Sequence, residues 1–148
     1  MNLGSNTNLY YVGQGGFDPG EDISICKVTV YPDLQAGDIT GKTFYCQVWT
    51  MSGTSLGILQ GESDGVVGSN LWDFSPVDFE FSTSVDLSNG TDYCIVITMK
   101  EVDGSNYARL KNTGAKTGFD GSCRFWHSDK IIGGDTTPND FKCIIYTD

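Results

Sequence analysis

The chain has 148 residues, 39% of them hydrophobic, which suits one domain, residues 1–148, around one continuous core. Nine Lys and Arg against 19 Asp and Glu leave a formal net charge of −10, which argues against nucleic acid as a partner and against simple adsorption to an anionic membrane. No run approaches the ~20 apolar residues of a membrane-inserted helix, and 19 glycines scattered without a period point to many tight turns, not to a collagen-like or linker chain.

The first twenty residues, MNLGSNTNLYYVGQGGFDPG, carry neither a basic block nor an apolar one, so they read as an N-terminal extension or a first strand and not as a signal peptide. Asp18, Glu21 and Asp22 follow in FDPGEDI. Oxygen-rich loops of this kind can hold Ca²⁺, which needs six or more oxygen ligands. The same residues also serve as ordinary turn formers. Asp64 and Asp73 are further candidate ligands for such a site.

No window shows the 3.6-residue periodicity of a helix, while short β-branched and aromatic runs recur at strand spacing. Ile23 to Tyr31 (ISICKVTVY) places Cys26, Val28 and Val30 on one face, and Pro32 with Asp33 is expected to stop it. Thr43 to Met51 (TFYCQVWTM) places Phe44, Cys46 and Val48 on one face and Tyr45, Gln47 and Trp49 on the other. A short return strand over Ser55 to Gln60 leads into an acidic, Gly-rich loop over 61–70. Val77 to Ser82 alternates Phe79 and Phe81 against Asp78 and Glu80, and Asn89-Gly90 marks a turn. Thr91 to Lys100 (TDYCIVITMK) is nearly continuously apolar, as in a central strand buried on both faces. Tyr107 to Leu110, Ser122 to His127 and Phe141 to Tyr146 complete about eight strands. The expectation is an all-β, two-sheet antiparallel β-sandwich, with a jelly-roll favoured over an immunoglobulin arrangement because no Cys–Trp–Cys pattern is present.

Most chemical motifs dissolve in this context. AGDITGKT (36–43) matches a relaxed phosphate-loop pattern, but a phosphate loop must open a helix, and FYCQVWT alternates like a strand. His127 is the only histidine, and neither Asp120 and Asp129 nor Ser122 and Ser128 gives it the setting of a catalytic triad. Asp78 and Glu80 could be imagined as the acid pair of a glycoside hydrolase, yet their alternation with phenylalanines reads as a solvent face. No enzyme activity is expected. Five cysteines, Cys26, Cys46, Cys94, Cys123 and Cys143, lack close pairs and read as small buried hydrophobes. Asn89-Gly90-Thr91 is also a glycosylation sequon, although a turn into a strand explains it equally.

The row Tyr45, Gln47, Trp49 is the candidate ligand-binding face. If Cys26, Val28 and Val30 pack on Phe44, Cys46 and Val48, the row points outward. Aromatic rings flanking an amide can stack on sugar rings and bond their hydroxyls. The alternative is that the row is covered, with Trp49 as a packing residue. Trp72 and Trp126 are further candidates for such a platform.

The succession ISICKVTVYPD, FYCQVWTMSGTSLG, VDFEFSTSVDLSNGTDYCIVI, NYARL and NDFKCIIYTD resembles the "choice-of-anchor" type β-sandwich domains of bacterial surface and phage proteins, themselves similar to carbohydrate-binding jelly rolls. Leu87, Gly90, Thr91 and Tyr93 match the lead-in to their central strand, and Phe141 opens the last one. The resemblance spans about Ile23 to Tyr146 and implies a fold and a setting, with no catalytic residue. The expectation is therefore a non-catalytic recognition or attachment module at a virion surface or outside the cell. Its partner would be carbohydrate, or protein subunits of a larger assembly in a decoration or fibre role, with homo-oligomers included.

Overall fold

A computed structural model describes residues 2–3, 11–52, 55–71, 75–99, 105–110, 123–126 and 142–148. Among these described residues, twelve antiparallel strands and one turn of 3-10 helix follow in chain order. They are β1 (Asn2–Leu3), β2 (Tyr11–Phe17), β3 (Ile23–Val30), β4 (Pro32–Ala36), β5 (Thr43–Ser52), β6 (Ser55–Glu62), β7 (Val66–Val67), the turn Gly68–Leu71, β8 (Val77–Leu87), β9 (Tyr93–Met99), β10 (Tyr107–Leu110), β11 (Cys123–Trp126) and β12 (Cys143–Thr147). One large sheet runs β11-β2-β9-β5-β6, with β7 also on β5; the opposing sheet runs β12-β3-β8, and a small flanking sheet runs β1-β10-β4. The protein is an all-β sandwich, and β2→β3, β7→β8, β8→β9 and β11→β12 each cross between its two main sheets.

The expected strands are all present, β2 is the first strand that the reading of residues 1–20 allowed for, and β1, β4 and β7 appear in addition. β2 carries Gly13, Gly15 and Gly16, which dilute any alternation. Gly16 sits at φ 78° where the register on β9 shifts between Gly15 and Phe17, a bulge that favours glycine. β3 does stop at Val30, but Pro32 opens the next strand and carries the chain into the small sheet beside β10. A proline is tolerated as the first residue of a strand because no ladder donor is needed there. β1 and β7 are two-residue pieces.

The core lies between the two main sheets. The large sheet contributes Phe44, Cys46, Val48, Tyr93, Ile95, Ile97 and Met99, and the opposing sheet Ile25, Val28, Val30, Val77, Phe79, Phe81, Val85 and Leu87. β9 is central and buried on both faces along its whole length, as its unbroken apolar run predicts. β8 alternates as expected, with Phe79 and Phe81 inward and Asp78 and Glu80 exposed. One inward assignment fails: a register break between Ile25 and Lys27 turns Ile25 into the core and leaves Cys26 half-buried, its thiol directed at the Tyr146 carbonyl at 3.5 Å. The sheets meet closely along one side, where Asp64 N–H donates to Glu80 O at 2.8 Å and a Cβ on Gly61 would stand 2.4 Å from a Val85 methyl.

Candidate functional site

The parity of β5 is as read from the sequence: Phe44, Cys46 and Val48 face the core. The other row is not an open platform. Trp49 and Gln47 are each only 5% exposed, and Tyr45 is half-buried. Trp49 packs with Leu56, Cys94, Val96 and Met51 in a second apolar cluster on the outer face of the large sheet. Gln47 accepts a bond from Trp49 Nε1 at 2.8 Å and donates through Nε2 to Glu62 at 2.5 Å. The amide expected to meet sugar hydroxyls is thus engaged with the protein itself, and the expectation of an outward aromatic pair is corrected for Trp49 and Gln47. The reason is tertiary: both faces of this sheet are covered at β5 and β9. Trp72 lies outside the described residues, as does the Trp126 side chain.

Of the three carboxylates in the loop before β3, two accept backbone hydrogen bonds. Asp18 accepts from Gly20 N at 2.9 Å and Gly90 N at 3.0 Å, and Asp22 accepts from Asn89 N at 2.9 Å. These bonds fasten the β2–β3 connection to the β8–β9 turn by satisfying backbone donors that would otherwise face outward. Glu21 is exposed at the rim. No group of three acidic, Cys or His residues able to hold a metal occurs among the described residues. Asp64 instead accepts from Ser82 Oγ at 2.7 Å, and Asp73 lies outside the described residues.

Beside this loop opens a cleft of about 590 Å³, lined mainly by polar groups of Glu21, Asp22, Ser24, Asp86, Ser88 and Asp148. Ser24 Oγ donates to Asp86 at 2.5 Å, Ser84 Oγ donates to Asp148, and Asp148 N–H donates to Ser24 O at 3.0 Å. A cleft of this lining favours cations or hydroxyls over apolar ligands.

The GKT segment is a side-chain-capped turn. Asp38 accepts from Thr40 N at 3.0 Å and from its hydroxyl at 2.6 Å, which holds the Asp38 carboxyl below the usual range. Lys42 N–H closes on Ile39 O at 2.9 Å, and β5 starts at once. A Cβ on Gly41 would meet nothing within 4 Å, so this glycine cradles nothing. The helix that a phosphate loop requires is replaced by a strand. His127, Asp120, Asp129, Ser122 and Ser128 lie outside the described residues.

Cys26, Cys46, Cys94 and Cys143 are free thiols. Burial pushes the Cys46 and Cys94 thiols far up, so both stay protonated and inert as small apolar groups. Cys123 lies on β11.

Sequence reasoning missed a different feature. Among the described residues, the exposed large hydrophobic side chains are Ile58 (70%), Leu59, Val67, Ile144 and Tyr146. Ile58 and Leu59 stand on β6, the edge of the large sheet, and Ile144 and Tyr146 on β12, the edge of the opposing one. β6 reaches this exposure through register shifts between Val48 and Trp49 and between Trp49 and Met51. Thr50 Oγ1 accepts from Ile58 N at 2.8 Å, and Gln60 Nε2 donates to Ile58 O at 3.1 Å. The bulges disturb the edge against strand addition while leaving the side chains outside. No signal in the sequence separates Ile58 from the buried Leu56, because strand position and bulges decide it. No protein-family model matches this chain, and no curated protein matches it either.

Proposed function

We propose that this protein is a non-catalytic recognition or attachment module of a virion or extracellular protein, and that it acts through protein–protein contact. The observation that carries the reading is the exposed Ile58–Leu59 pair on an edge that bulges disturb against strand addition. Large apolar side chains gathered at one place and kept in water mark an interaction surface more often than chance. The carbohydrate reading loses its main support, because Gln47 and Trp49 are buried and bonded to each other. The virion or extracellular setting rests on the resemblance to choice-of-anchor type sandwiches. A photo-cross-linking amino acid at position 58, with the exposed Thr83 as the control position, tests the reading in cells that make the protein. Discrete products at 58 and none at 83 are expected. Equal, diffuse labelling at both positions, or glycan binding that disappears in Trp49→Ala while the fold survives, would overturn it.

A further inference from the structure

Asn89 is followed by glycine, and none of the chain's other asparagines is. The pair forms the exposed turn between β8 and β9, with Gly90 at φ 78°. An asparagine before glycine is open to attack on its own side chain, because no Cβ shields the following backbone nitrogen. Even a Cβ built at Gly90 would meet nothing within 4 Å, so the turn is open on that side. The Asn89 carboxamide has no hydrogen-bond partner among the described residues; the bond Asn89 gives to Asp22 comes from its backbone N–H. The Gly90 N–H, by contrast, is held. It donates to Asp18 Oδ1 at 3.0 Å, and the same oxygen receives the Gly20 N–H at 2.9 Å.

We propose that Asn89 is a site of spontaneous deamidation, and that Asp18 restrains the reaction while the β2–β3 connection stays fastened to the turn. The Gly90 nitrogen, having lost its proton to hydroxide, attacks Cγ of Asn89. The N–Cγ bond forms, the Cγ–Nδ2 bond breaks, and Nδ2 takes up a proton from water and leaves as ammonia. Water then opens the succinimide at either carbonyl and leaves aspartate or isoaspartate at position 89. The sum is one water consumed and one ammonia released. A carboxylate is too weak a base to remove a backbone amide proton, so Asp18 does not start the step. Its charge acts the other way: a nitrogen anion beside Asp18, with Asp22 on the neighbouring N–H, is disfavoured by like charge. The hydrogen bond to Asp18 is also lost with the proton, which raises the barrier further. The product weakens this restraint. A carboxylate at 89 replaces a neutral amide beside Asp18 and Asp22. Isoaspartate also adds a methylene to the backbone between Ser88, whose N–H is held by Tyr93 Oη at 2.9 Å, and Gly90. The modification thus runs one way and loosens the fastening that held it back.

The test follows the full chain in mildly alkaline buffer and reads conversion of Asn89 by peptide mapping and mass spectrometry. The wild-type chain is compared folded and in urea, a comparison that needs no variant. Conversion should be at least tenfold slower in the folded chain. Asp18→Ala and Asp22→Ala are both at exposed positions, and thermal unfolding confirms that each folds. Asp18→Ala should speed conversion in the folded chain about tenfold, as expected for losing a hydrogen bond to a charged group. Asp18→Asn, which keeps an acceptor without the charge, should fall between the two. Asp22→Ala frees the Asn89 N–H and not the attacking nitrogen, so it should change the rate less. Base-catalysed exchange of the Gly90 amide, followed by NMR, reports removal of the same proton and should rise in the same order. Equal conversion in the folded and urea-unfolded chain would overturn the proposal. So would slower or unchanged conversion in Asp18→Ala, or an Asp22→Ala effect as large as that of Asp18→Ala.

Discussion

The two faces of β5 invite comparison. The inner face is purely apolar, with Phe44, Cys46 and Val48 fully buried between the sheets. The outer face is nearly as buried at Gln47 and Trp49 but mixes chemistries, as an indole donates to an amide that in turn reaches a half-solvated carboxylate. An inner face of this kind is set by packing alone, while the outer one must also keep every polar atom partnered. Burial on both sides along β5 and β9 means that the outer row stabilises the fold and is unavailable to bind.

The sharpest way to break this comparison is to truncate one side chain from each face. Phe44→Ala and Trp49→Ala should each cost about 3–5 kcal/mol, the usual penalty for emptying an aromatic site in a packed interior. Urea unfolding measures both. A cost below about 0.5 kcal/mol for Trp49→Ala, the range of ordinary surface positions, would restore an open outer face.

A smaller effect separates packing from polar pairing on the outer face. Gln47→Leu keeps the volume roughly constant but removes the acceptor of the Trp49 indole N–H. The expected loss is about 1–3 kcal/mol, the cost of a buried donor left alone. The Trp49 emission spectrum should shift as its hydrogen bond is lost. Unchanged stability together with an unchanged spectrum would show that this bond contributes nothing.

The same comparison shows what the sequence makes legible. Alternation along VDFEF and continuity along TDYCIVITM are local signals, so β8 and β9 can be read directly, down to which residues face inward. The parity of β5 is legible for the same reason. Whether its outer row meets solvent is not, because that depends on residues distant in the chain, such as Leu56, Cys94 and Val96. β2 hides behind its glycines, whose use appears only in the bulge at Gly16 against β9. Asp18 and Asp22 look like cation ligands by residue type. Their partners, the amides of Gly90 and Asn89, come from a turn that folding alone brings near. By alternation Cys26 belongs inward with Val28 and Val30, and one register break that no local pattern announces turns it out.

The smallest expected effect belongs to a third setting, the outer face of the opposing sheet, where a charge is partnered in partial contact with water. Asp78 accepts from the Thr29 hydroxyl at 2.5 Å and pairs with Lys27 Nζ at 3.1 Å. The hydroxyl is the larger cause, and together they hold the Asp78 carboxyl below its ordinary range. A carboxyl with a lowered folded value binds protons less readily folded than unfolded. Its contribution is therefore fully present above the unfolded value, near 3.9, and is lost as pH falls through the lowered folded value. Thr29→Val removes the hydroxyl and leaves Lys27 in place. The Asp78 titration, followed by carboxyl NMR, should then move up towards the ordinary range. The stability difference between wild type and variant should be largest near neutral pH and shrink in acid. Because the Asp78 side chain is 46% exposed, solvent screening keeps this difference small. An Asp78 titration that does not move would assign the lowered value to Lys27 alone, and the face would then be held by its ion pair and not by the Thr29 hydroxyl.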